Sequence, residues 1–192
     1  MARQETTLLL DRARAGEREA MDRLLQRASA KLLALIRLRM GRGLRARLES
    51  RDILQATLVK AWGRLDQLQD PDRRALMAWL ARIAENEIRD QADFHGRLRR
   101  DADRDASLPE AAAVPSPVRS ALSQVIWNER AERVEQAMES LSEAHREIIV
   151  LRKLEELGFR EIGERLGKSE DACRMLYGRA MAALTLALPE ER

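Results

Sequence analysis

Between Leu157 and Leu184 the chain reads LGFREIGERLGKSEDACRMLYGRAMAAL, and its polar side chains are of the types that read base edges and phosphates. Lys168 and Ser169 stand at a break in the pattern, and Glu170, Asp171, Arg174 and Met175 follow on one face. An Arg at such a position can hold guanine through two hydrogen bonds, which makes Arg174 the leading base contact. Glu170 and Asp171 have two readings. Acids in a first helical turn are stabilised by the macrodipole, and acids can also accept a hydrogen bond from cytosine. Arg160 and Arg179 are placed either to touch phosphate or to brace their neighbours.

The elements that must hold these residues follow from spacing. Ile162 and Leu166 share a face of a short helix, Gly167 supplies a tight turn and Ser169 a helix cap. Cys173, Leu176, Tyr177, Ala180, Met181 and Leu184 then trace one apolar stripe along a second helix. A helix packed on one side and polar on the other, after a three-residue turn, can enter a major groove. An ordinary helical hairpin is the plainer alternative. Cys173 lies on the stripe, so packing is preferred to redox sensing.

No stretch alternates with period two, so the expected fold class is all-α. Helices are expected near 5–15, over 17–40 with Gly41 and Gly43 ending it, from a Ser50 cap to about Leu68, and over 73–98. Residues 101–122 hold three of the five prolines among Ala, Ser and Asp and read as a flexible linker. Extended, that stretch reaches roughly 70 Å. The second domain is expected from about Gln124, with Ser140-Leu141-Ser142-Glu143 as a capping box for a helix through about Glu155.

Composition narrows the function classes. Aromatic residues are only 3% of the chain, so the cores must be built of Leu, Ile, Ala and Met. No apolar run approaches the about 18 residues that span a bilayer, the N-terminus has no signal-peptide pattern, and the single cysteine makes no internal disulfide. A cytoplasmic protein is expected. Residues 1–100 carry 22 Lys and Arg against 14 Asp and Glu, whereas residues 101–192 carry 13 against 18. The basic half is therefore not the half with the helix-turn-helix. It either meets phosphate too or serves another partner. There is no phosphate-cradling glycine loop, metal cluster or catalytic triad, which argues against an enzyme.

A second stretch sits upstream, Ala78-Trp79-Leu80-Ala81-Arg82-Ile83-Ala84-Glu85-Asn86-Glu87-Ile88-Arg89-Asp90. Together with the C-terminal motif it resembles the sigma-70 family of bacterial transcription initiation factors, in its small two-domain extracytoplasmic-function (ECF) group. Trp79, Leu80, Arg82, Ile83, Ala84, Asn86 and Asp90 fall on the family's promoter-melting helix. Asp52-Ile53-Leu54-Gln55 is similar to its polymerase-clamp motif. Leu141, Arg146, Leu151, Glu161-Ile162, Leu166-Gly167, Ser169 and Arg179-Ala180 match its upstream-promoter reader.

The resemblance implies three parts. Residues 1–100 would grip the clamp of core RNA polymerase and capture the melted −10 strand, residues 101–122 would link, and residues 123–192 would read the duplex −35 element. Single-stranded capture needs positive charge and base pockets. Arg82, Arg89, Arg97, Arg99 and Arg100 supply charge, Asn86 a base-edge hydrogen bond, and Asp90 either a contact or a brace for neighbouring Arg residues. The Gln69–Arg73 loop is the family's usual place for a flipped base; Phe94 and His95 could stack on bases, with His95 equally readable as a solvated helix residue. Trp79 is read as core ahead of stacking platform. Arg160, Lys168, Ser169, Glu170, Asp171, Arg174, Met175 and Arg179 form the −35 set. Glu49, Asp52 and Gln55 form the polymerase set.

Two departures bear on function. Arg51 and Ala56 stand where the family usually carries acids, which should weaken clamp docking. Phosphorylation of Thr57, or of Ser50, by a Ser/Thr kinase would restore negative charge. The plainer reading has Thr57 as a half-buried helix residue. Past Asp90, Asp93-Phe94-His95-Gly96 delays the basic cluster to Arg97–Arg100. The expected partners are core RNA polymerase, promoter DNA and an anti-sigma factor. No cofactor, metal, membrane or small-molecule substrate is expected. The rival reading is a dimeric helix-turn-helix regulator that never docks on polymerase.

Overall fold

The computed structural model describes residues 2–46, 48–68, 73–100 and 129–188, with side chains described throughout except at 2–4, 42, 73 and 95–100. All regular structure in these ranges is helical. The N-terminal unit comprises α1 (Ala2–Arg14), α2 (Arg18–Arg45), α3 (Ser50–Trp62), a 3-10 turn (Leu65–Gln67) and α4 (Arg73–Arg100). The C-terminal unit comprises α5 (Glu129–Ser140), α6 (Glu143–Ile149), a wide π-type turn (Val150–Leu154), α7 (Phe159–Leu166) and α8 (Glu170–Ala187). The expected linker and the Gln69–Asp72 loop lie outside the described residues.

Helix α2 is the spine. It packs against α1, α3 and α4 on one side and meets α5 and the π turn on another. Leu32, Leu35, Ile36, Leu54, Leu58 and Leu80 are fully buried between these helices. The C-terminal unit closes around Ile148, Leu151, Ile162, Cys173 and Ala180. No aromatic side chain is buried among the described residues, as the composition demands. Cys173 is sealed in this core and packs as a small apolar group.

Three local features differ from expectation. Gly41 does not end α2 but kinks it: its φ of 64° and ψ of 170° suit glycine, and helix resumes to Arg45. Ser50 is not a cap. Glu49 takes the N-cap position of α3 without a side-chain cap bond, and Ser50 is buried inside the first turn. The helix begun at Ser142, whose hydroxyl accepts from the His145 N–H at 3.4 Å, does not run regularly to Glu155. It widens at Val150–Leu154, and Glu156 then takes a left-handed φ of 63°, a rare state for a residue with a Cβ.

Arg146 explains how the α5–α6 corner holds. Its guanidinium donates to the carbonyls of Met138, Glu139 and Leu141 at 2.9–3.1 Å. They lie at and just beyond the end of α5, where helix carbonyls lack their usual intrahelical donors; the Met138 carbonyl also accepts from the Leu141 N–H at 3.3 Å.

Candidate nucleic-acid interface

The turn between α7 and α8 is built by two glycines. Gly167 caps α7 in the left-handed region at φ 63°. Gly163 lies under the turn, and a Cβ there would meet the Lys168 carbonyl oxygen at 2.5 Å, so the backbones approach this closely only because Gly163 has no side chain. Ser169 then caps α8, its hydroxyl accepting from the Ala172 N–H at 3.2 Å. The result is a helix that buries Cys173 on its inner face and leaves the outer face of its first turns exposed.

Lys168, Ser169, Glu170, Asp171, Arg174, Met175 and Arg179 are all exposed there. Met175 is 60% exposed on this face. Arg174 pairs with Glu170, comes within 3.8 Å of Asp171, and lies over the Phe159 ring at 5.2 Å. Both acids therefore occupy the first turn, and both also hold Arg174. Phe159 is itself fixed by Tyr177 (centroids 5.7 Å apart) and by Arg152 at 4.9 Å. Arg160 is exposed and pairs with Glu164 at 3.3 Å. This face offers rigid backbone, an Arg fork and flanking cations, a combination that can read a duplex groove.

On the N-terminal unit, Arg82, Asn86, Arg89 and Asp90 are exposed along one side of α4. Arg82 and Asn86 line an open pocket of about 470 Å³ with Arg64, Gln67, Trp79 and Ile83. Trp79 is half-buried: one part packs on the core, another lines the pocket. An apolar ring face, a hydrogen-bonding amide and two guanidinium groups are the kinds of group that can stack on and bond an unpaired base. Among the described residues the cation beside Asp90 is a lysine. Asp90 reaches Lys60 of α3 at 3.7 Å, beside the buried Glu87, which Lys60 also pairs with. The side chains of Arg97, Arg99 and Arg100, and that of His95, lie outside the described residues. Phe94 is 42% exposed.

At the start of α3, Glu49 and Asp52 are exposed and Gln55 is half-exposed, so all three share an accessible rim. The phosphorylation idea meets a different geometry. Thr57 is fully buried and its hydroxyl donates to the Ile53 carbonyl at 2.7 Å, and Ser50 is buried too. Neither hydroxyl is presented to a kinase, because the α3 face that carries them is the face packed on α2 and α4.

A seam of ion pairs joins the two units. Arg39 of α2 reaches Glu147 and Glu155 at 2.9 Å and Glu85 at 3.4 Å. Arg165 of α7 returns to Glu155 at 2.7 Å and Glu85 at 2.9 Å. Burial alone would lower the Arg39 pKa, but hydrogen bonds and charge from Glu147 and Glu155 outweigh it and raise it further.

Among the described residues no helix is long and apolar enough to cross a membrane. Residues 24–101 match the family described as Sigma-70 region 2, and residues 131–184 match Sigma-70, region 4. Among curated proteins the chain is similar to the Pseudomonas aeruginosa RNA polymerase sigma-H factor (26% identical, covering 98% of this chain and 96% of that protein). It is similar to the Myxococcus xanthus RNA polymerase sigma factor CarQ (28% identical, 94% and 96%). The Xanthomonas campestris probable RNA polymerase sigma factor RfaY is 32% identical over 91% of this chain, which spans 42% of that longer protein. Among solved structures, CnrH in complex with the cytosolic domain of CnrY matches with a TM-score of 0.51 and 26% identity, covering 96% of this chain and 97% of that one.

Proposed function

The chain belongs to the sigma-70 family, in its ECF group, and on that premise we propose how its surfaces divide the work of directing RNA polymerase to promoters. The exposed turn and first half of α8 read the −35 element as duplex. Arg174 makes the principal base contact, and Arg160, Lys168 and Arg179 touch phosphate. The Asn86 pocket takes an unstacked base of the melted −10 strand, with Arg82 and Arg89 along its backbone. Preferential binding of the open strand then favours opening without nucleotide hydrolysis. The Glu49–Asp52–Gln55 rim meets the polymerase clamp. The factor itself is non-catalytic, since RNA synthesis belongs to the polymerase. The dimeric-repressor reading is not favoured, because both family regions occur in order along one chain.

The observation that carries this reading is the pairing of two exposed nucleic-acid faces on units matching regions 2 and 4. The experiment is run-off transcription with core polymerase on promoter fragments, using wild type, Asn86→Ala and Arg174→Ala. Wild type is expected to start at defined sites. Asn86→Ala should lose open-complex formation on duplex promoters and be partly rescued on templates pre-melted at −10. Arg174→Ala should lose promoter selectivity. No polymerase association by wild type would overturn the reading.

An anti-sigma partner is the finer part of the proposal. The CnrH structure was solved with the cytosolic domain of CnrY. In this chain an apolar groove of about 550 Å³ opens between α2, α5 and α8, lined by Leu38, Val134, Met138, Leu154 and Leu184. An amphipathic helix of such a partner would seat its apolar face there.

A further inference from the structure

A pocket of about 490 Å³ opens at the seam, and its charge is lopsided. Lys31 of α2 and Arg74 of α4 enter it from the N-terminal unit. Arg152 and Lys153 of the π turn enter from the C-terminal unit. Among the described residues the carboxylate on its wall is that of Glu156, and the rest of the lining is the Phe159 and Tyr177 rings. Four cations therefore face one acid.

The cations are not equally engaged. Lys31 pairs with the Glu156 carboxylate. Arg74 donates to the Glu156 carbonyl at 2.9 Å and pairs at 3.0 Å with Glu161, which is not part of the lining. Arg152 donates to the Leu157 carbonyl at 2.9 Å and lies over the Phe159 ring at 4.9 Å. A carbonyl and a ring face leave its net charge in place. Lys153 is exposed, and among the described residues no carboxylate pairs with it or with Arg152. The backbone between the cations is irregular as well. The wide turn at Val150–Leu154 carries Arg152 and Lys153, and Glu156 follows at its left-handed φ of 63°. Such a state is costly for a residue with a Cβ, and strained residues gather at ligand sites. Here it lets Glu156 meet Lys31 with its side chain and Arg74 with its carbonyl. Two cations of one unit are thereby held opposite two uncompensated cations of the other.

We propose that this pocket binds a free small molecule carrying two linked phosphate groups, pyrophosphate or one of its esters. One phosphate is held by Arg152 and Lys153, the other by Lys31 and Arg74. The charge pattern selects this class. Guanidinium forks and ammonium groups bind phosphate oxygens through short, charge-assisted hydrogen bonds. A single phosphate or a carboxylate compensates one side and leaves the other bare. An apolar ligand gains nothing from a wall of cations. A nucleic-acid backbone spaces its phosphates by a sugar, whereas the two cation pairs converge on one short loop. The site does not depend on the promoter-reading roles assigned above.

The test is isothermal titration calorimetry on the full chain, with no DNA, polymerase or divalent metal present. Pyrophosphate is expected to bind saturably, one per chain, and at least about ten-fold more tightly than orthophosphate or sulfate. ATP, which carries the same linked phosphates, should bind and be displaced by pyrophosphate. Lys153→Glu reverses an exposed charge and should weaken pyrophosphate at least about ten-fold. Arg74→Ala should weaken it at least about three-fold, because the second unit takes part. Arg133→Glu makes the same charge change as Lys153→Glu at an exposed position outside the lining and should stay within about two-fold of wild type. Circular dichroism confirms that each variant is folded. Pyrophosphate bound no better than sulfate would overturn the site. Equal losses for Lys153→Glu and Arg133→Glu would do the same, since they mark net charge alone. Wild-type affinity in Arg74→Ala would overturn the two-sided geometry. A four-nucleotide oligothymidylate that binds more tightly than pyrophosphate, and loses affinity in Lys153→Glu, would overturn the free-ligand assignment and leave the pocket as a nucleic-acid contact.

Discussion

Arg174 is held before any DNA arrives. Glu170 pairs with it, Asp171 approaches it, and the Phe159 ring lies beneath it, so on the proposed reading its fork is pre-aimed and would exchange Glu170 for a base. Because a bidentate Arg–guanine contact discriminates by about 1–3 kcal/mol, Arg174→Ala should weaken binding to a −35 duplex about 5- to 150-fold. It should also flatten preference at one base pair. Arg179→Ala should weaken all sequences alike and lower the salt slope, which fluorescence anisotropy on matched and mismatched duplexes would separate. Thr57 belongs to the same scale. Its hydroxyl is enclosed and bonded to the Ile53 carbonyl. Thr57→Asp would therefore bury a charge with no partner, at a cost of several kcal/mol. It should lower the melting temperature and leave polymerase affinity no better, while Thr57→Val stays close to wild type. Improved polymerase binding by a well-folded Thr57→Asp would contradict this.

At the scale of the element, the α7–α8 corner turns on glycines of opposite kinds. A methyl group on Gly163 would lie 2.5 Å from a backbone carbonyl, whereas one on Gly178 meets nothing within 4 Å. Gly163→Ala should thus spread the corner, cost about 2 kcal/mol or more and abolish −35 binding. Gly178→Ala, mid-helix and exposed, should raise stability by up to about 1 kcal/mol. Thermal unfolding of the two variants side by side checks the pair. The same elements show what the residues could and could not announce. Helix α8 was legible because its Ser169 cap and its stripe from Cys173 to Leu184 are local patterns. Gly163 was not, since its constraint is an approach through space by residue 168. The π turn was hidden because Val150-Leu151-Arg152-Lys153-Leu154 keeps a helical apolar spacing. The seam was hidden more deeply, its partners lying 80 to 125 residues apart in sequence. Only the charge imbalance between the halves signalled it, without naming the partner.

On the proposed reading the two units engage separate elements of a promoter, so the chain joining them sets a limit on reach. Between α4, ending at Arg100, and α5, starting at Glu129, that chain can extend to roughly 95 Å. This is comparable with the roughly 85 Å from −10 to −35. Deleting residues 103–114, within the stretch whose composition reads as a linker, would cut the reach to about 55 Å. Each unit keeps its helices, so binding to an isolated −35 duplex and to −10 single strands should remain within about two-fold of wild type. Run-off transcription from a duplex promoter should fall at least ten-fold, because the second face can no longer arrive while the first is seated. Replacing the deleted stretch with twelve Gly and Ser residues should restore it, since reach and not the identity of those residues is what the argument requires. Full transcription by the shortened chain would mean that the polymerase brings the two elements much closer than their spacing along straight DNA.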